Sequence, residues 1–195
     1  MRFTFVTLIL AGLALSAIGC GGSKDTQQSM QQTSMGDVPD WFANVPQDPN
    51  YLYSANTGVS QDLQLAIDKA ATGARAEIGR QIEVRIQGLQ KRFDEEVGLG
   101  EDSKLMQQFT QASKTVVSTS LSGSRIGKQK QMREGNTWRA YVLVEYPIGA
   151  ANQALMDQIK KNDEMYTRFR SSQTFKDLDD EVQKYEEWKK NQQQQ

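Results

Sequence analysis

The chain has 195 residues, with 23 Lys and Arg against 24 Asp and Glu, one Cys and no His. That length suits one globular domain with appendages, and the near-zero net charge lacks the basic footprint of a nucleic-acid binder. Without His and with a lone Cys, the composition excludes His-ligated metal sites, Ser-His-Asp and Cys-His nucleophiles, thiolate zinc sites and intramolecular disulfides.

Met1-Arg2 is a short positive start, Phe3 to Leu15 is almost wholly apolar, and Ser16-Ala17-Ile18-Gly19 leads up to Cys20. An apolar run of this size falls short of the ~20 residues that a spanning helix needs, so residues 1–19 read as a removable signal peptide. The approach to Cys20 resembles a bacterial lipobox, with Ala17 where Leu is usual. That resemblance implies diacylglycerylation of the Cys20 thiol, cleavage before it and acylation of its amine. Three acyl chains hold a protein on a membrane durably, whereas one does not. By the same resemblance Gly21, in place of Asp, directs the protein to the outer membrane. The other reading is an ordinary secretory signal with an incidental Cys.

After Cys20, the rest of the segment 20–37 is mostly Gly, Ser, Gln and Thr, with two Met and nothing bulky. This composition predicts a flexible tether with an r.m.s. reach of roughly 20–25 Å. The folded domain is expected over 38–148. Pro39-Asp40-Trp41-Phe42 opens it, and Trp41 and Phe42 with Tyr51 and Tyr53 would fill the seam between a sheet and its entry loop. Tyr51 to Ala55 reads as a short strand ended by Asn56-Thr57-Gly58. Ser60 is the expected cap of a helix whose apolar stripe runs from Ala66 through Ala70, Ala74, Ile78, Ile82, Ile86, Leu89 and Phe93 to Val97.

Gly98-Leu99-Gly100 ends that helix, and Asp102 or Ser103 begins a second, to about Ser120. Arg125 to Arg133 and Thr137 to Tyr146 read as strands joined by Glu134-Gly135-Asn136, a hairpin signal. Both faces of the second strand are largely apolar, which suits an interior position. Residues 149–195 form a helical, charged extension with a break near Ser171-Ser172 and a frayed Gln tail from Gln192. Leu155, Ile159, Tyr166 and Phe169 fall on one helical face. Thr174 is the expected cap of the last helix.

The lipobox, Pro39-Asp40-Trp41, the strand from Tyr51 to Ser60, Ala70-x-x-x-Ala74-Arg75-x-x-Ile78, Leu121-Ser122-Gly123-Ser124 and Tyr141 to Val144 together resemble the Lpp-twenty outer-membrane lipoproteins. The likeness spans about Trp41 to Pro147. It implies an α+β fold, a long helix packed on a small antiparallel sheet, and a non-enzymatic envelope protein. Several members of that family build rings or disks around flagellar motors.

Three groups of residues are candidates for interaction. Arg125, Lys128, Lys130, Arg133 and Arg139 crowd the hairpin, where they would meet lipopolysaccharide phosphates or an acidic envelope protein, or would simply guard a strand edge. Phe175, Leu178, Val182 and Tyr185 form a stripe that packs either on its own domain or on a neighbouring copy. Asp94, Glu95, Glu96, Glu101 and Asp102 read as solvated charges at a helix junction; a cation site is the other option. No S-x-x-K, G-x-S-x-G, G-x-G-x-x-G or Walker pattern occurs, and neither enzyme activity nor a cofactor is expected. The expectation is a lipid-anchored, periplasm-facing structural or scaffold component that forms homo-oligomers. The alternative is a tethered regulator that activates a cell-wall synthase, a role for which the tether is short.

Overall fold

The computed structural model describes residues 38–193. They form an α+β body in which a three-stranded antiparallel sheet packs against one long helix, with shorter helices around it. The elements in chain order are α1 (Asp40–Ala43), β1 (Tyr51–Ser60), α2 (Leu63–Val97), α3 (Ser103–Gly123), β2 (Arg125–Glu134), β3 (Thr137–Pro147), α4 (Ile148–Lys161), α5 (Asp163–Phe169) and α6 (Gln173–Gln193). A short 3₁₀ turn, Leu99–Glu101, links α2 to α3.

β3 lies between β1 and β2, antiparallel to both. Its apolar character on both faces follows from that position: Val142 and Val144 face the helices, and Tyr141 and Leu143 are buried on the opposite side. On that opposite side the Phe42 ring of α1 meets Tyr141 edge-on, with centroids 4.8 Å apart. β1 runs five residues further than the expected Ala55. Asn56 suits a strand here because its side chain accepts the Thr57 N–H at 2.7 Å, and Gly58 lets α2 come close.

α2 is a single helix of 35 residues, about 52 Å long against about 34 Å for a ten-residue strand. Its small residues Ala66, Ala70 and Ala74 are fully buried in the core, and they set the close approach to the sheet. Further along, Ile82, Ile86, Leu89 and Phe93 share the core with the remaining helices. The cap is Asp62, not Ser60: Asp62 Oδ1 accepts the Leu65 N–H at 2.7 Å, while Ser60 Oγ accepts the Asp62 N–H. Gly98, at φ 66°, closes the helix in the left-handed region.

The C-terminal helices contribute Leu155, Ile159, Phe169 and Leu178 to the same core as Val142 and Val144. The expected single face over Leu155, Ile159, Tyr166 and Phe169 is interrupted. Asn162 ends α4 and caps α5, accepting the Met165 N–H. The change of phase buries Met165 and leaves Tyr166 exposed. At α6 the cap is Ser172, whose hydroxyl accepts the Phe175 N–H at 3.1 Å, not Thr174. Gln192 and Gln193 belong to α6, and 194–195 lie outside the described residues.

Thr174 instead clasps the other end of the long helix. Its N–H and hydroxyl both donate to Glu96, the hydroxyl at 2.6 Å. Those bonds favour the charged carboxylate and hold Glu96 below the usual carboxyl range. A depressed carboxyl contributes stability above its unfolded pKa and loses it as the pH falls through the folded value. Glu96→Gln should therefore melt earlier than the wild type at neutral pH. The gap should close in acid, below about pH 4. Equal melting curves at neutral pH would show that the clasp contributes nothing.

Candidate functional site

Cys20, the expected signal peptide over 1–19 and the expected tether over 20–37 lie outside the described residues. The five hairpin cations do not form one patch. Arg125, Lys128 and Lys130 stand opposite Glu145, Leu143 and Tyr141, so they share the outer sheet face with Arg139. Arg133 stands opposite Trp138 and turns to the other face, its guanidinium 5.5 Å from the indole centroid. Arg125 pairs with Glu145, and Arg139 with Glu134, each at 2.6 Å. Glu145 cancels a further part of the field that the five cations and Glu134 imply, since it is far from Arg125 in sequence and close in space.

The two edges of the sheet are treated differently. On β1, Gln81 Nε2 donates to the Tyr53 carbonyl and Lys69 Nζ to the Val59 carbonyl, both at 3.2 Å. Side chains of α2 thus occupy edge groups that would otherwise pair with a foreign strand. β2 carries its Lys and Arg, and a register shift between Ile126 and Lys128 interrupts its pairing.

The stripe Phe175, Leu178, Val182 and Tyr185 lies along α6, with the first three buried in the core. Tyr185 sits on Gly149 of α4, so closely that a Cβ there would lie 2.3 Å from the ring. Tyr185 also stacks on Trp188, which meets Tyr51 edge-on. Tyr51 stacks on Tyr53, so these two tyrosines join the C-terminal helix and not Trp41. Beside them a cleft contains Arg85, Asn152 and Glu181. Arg85 donates to Glu181 and to Asn152, and Asn152 donates to Glu181 at 2.6 Å. The three side chains satisfy one another and tie α2, α4 and α6 together.

The junction carboxylates also have structural partners. Asp94 accepts the Gly100 N–H and Asp102 caps α3. Among the described residues no cluster of three Asp, Glu, His or Cys side chains is placed to hold a metal ion.

A further feature, absent from the sequence reading, is an apolar groove of about 420 Å³ between α2 and α3, with Ile86, Val117 and Leu121 among its lining. Its walls also carry Glu83, Gln87, Thr110 and Ser113. The polarity is partly hidden: the Thr110 and Ser113 hydroxyls donate to the Met106 and Phe109 carbonyls of their own helix at 2.8 Å.

No family model, curated protein or solved structure matches the chain.

Proposed function

We propose that this chain is a non-catalytic outer-membrane lipoprotein of the Lpp-twenty type. It serves as a periplasm-facing structural or scaffold component that self-associates. The observation that carries the reading is Cys20, at the end of a lipobox-like segment and 18 residues ahead of Val38, where the described body begins. Lipidation at that distance keeps the body within a few tens of ångströms of the membrane. The body itself offers a long two-helix surface with an open apolar groove, which suits docking of protein. The basic side chains along β2 suit an acidic envelope protein or lipopolysaccharide.

Labelling cells with radioactive palmitate tests the anchor. The wild type should carry label and enter the detergent phase on partitioning. Cys20→Ala should carry none and should collect uncleaved or in the aqueous phase. Unlabelled wild-type protein in the aqueous phase would refute the lipoprotein assignment.

A further inference from the structure

α2 and α3 run antiparallel, and two contacts fix their register. At one end the Gly79 backbone lies against Leu121; at the other Gln90 Nε2 donates to the Met106 sulfur at 3.3 Å. Four residues in from Gly79 and Leu121 are Glu83 and Val117, and seven in from Gln90 and Met106 are Glu83 and Ser113, so Lys114 lies within about one turn of the level of Glu83, one on each lip of the groove. Both are exposed, and neither makes an ion pair or hydrogen bond among the described residues. The groove thus has one uncompensated negative lip and one uncompensated positive lip within about a turn of the same height, with an apolar floor between them.

We propose that two copies of this chain associate through the groove, about a two-fold axis running along it. The inference rests on the self-association reading and supplies its surface. A half-turn about that axis keeps every residue at its level and exchanges the lips. Glu83 of each copy then faces Lys114 of the other, twice per dimer, with the two apolar floors enclosed between the pairs. A two-fold interface must be self-complementary in this way. Lips of like charge would repel their own copy.

Charge reversal tests the geometry on the full lipidated chain, by sedimentation in density-matched detergent. Glu83→Lys alone, or Lys114→Glu alone, converts two attractions per dimer into two repulsions and should weaken association by about tenfold. Combining them should restore it, and high salt should shrink the differences. Since neither side chain makes a hydrogen bond or ion pair among the described residues, the circular dichroism spectrum of each variant should match the wild type. If the wild type associates and neither single reversal weakens it, another face is used; the groove proposal fails and self-association stands. If the single reversals weaken association and the double variant does not recover, the two-fold pairing is wrong and the lips meet some other partner. A strictly monomeric wild type at all concentrations would defeat both readings.

Discussion

Phe169→Ala is expected to lower the melting temperature by about 6–20 °C. Phe169 is the last residue of α5 and is fully buried. Its ring stacks on Phe93 of α2 at 4.3 Å and meets Phe109 of α3 edge-on at 6.1 Å; Phe93 and Phe109 close the triangle at 6.0 Å. Three helices from distant parts of the chain thus converge on one aromatic cluster. Truncating a buried Phe to Ala costs about 3–5 kcal/mol, from lost transfer energy and the cavity left behind. In a domain of this size each kcal/mol is worth roughly 2–4 °C. Tyr166→Ala, three residues earlier on the exposed side, is the control and should cost far less. Circular dichroism melts of the full chain decide the matter. A shift below about 2 °C for Phe169→Ala would mean that the C-terminal helices do not share the core.

That cluster also shows what the sequence conveys. Periodicity gave the long helix, the hairpin and the interior strand, because burial on one face or two writes its own period into the residues. The stripe of α6 was visible for the same reason. Its destination was not, since an amphipathic face states that something must cover it and not what does. Only the tertiary arrangement shows Leu178 and Val182 in the chain's own core. The caps were misplaced by two residues at both helices because Ser60 and Asp62, or Ser172 and Thr174, are equally able acceptors in sequence. The helix starts that packing imposed selected between them.

The interaction surfaces were less legible. The five hairpin cations stand on both strands with Glu134 as their one carboxylate in that stretch of sequence, whereas pairing with β3 brings Glu145 beside Arg125 and sends Arg133 to the other face. The groove between α2 and α3 left almost no trace. Glu83 and Lys114 each look like any solvated helical charge, and their nearness in level depends on how the two helices dock. A sign that was present in the sequence is the run of Ser and Thr along α3, residues whose hydroxyls can turn back onto their own helix.

Two glycine-to-alanine substitutions in neighbouring elements should have opposite signs. At Gly58 on β1, an added Cβ would lie 2.3 Å from the Ala66 carbonyl oxygen, 2.8 Å from the Ala70 nitrogen and 2.9 Å from the Lys69 Cβ. Two of these are backbone atoms of α2, which cannot swing aside as a side chain would. The helix must retreat from the sheet, and it is held there by Ala66, Ala70 and Ala74, all without exposed surface. It is held again by the Asn56 side chain against Gly73. Overpacking costs about 1–3 kcal/mol where neighbours can adjust; with a rigid helix as the neighbour, Gly58→Ala should cost about 3 kcal/mol or more. Gly88 lies inside α2, and a Cβ there would meet nothing within 4 Å. Alanine at that position removes the entropic handicap of a mid-helix glycine, so Gly88→Ala should stabilise by about 0.5–1 kcal/mol. The two variants change the same atoms, and chemical denaturation of each against the wild type reads the difference. If Gly58→Ala unfolds at wild-type denaturant concentration, the helix does not approach the strand as closely as Ala66 and Gly58 imply. If Gly88→Ala is destabilised, the outer side of α2 is already covered.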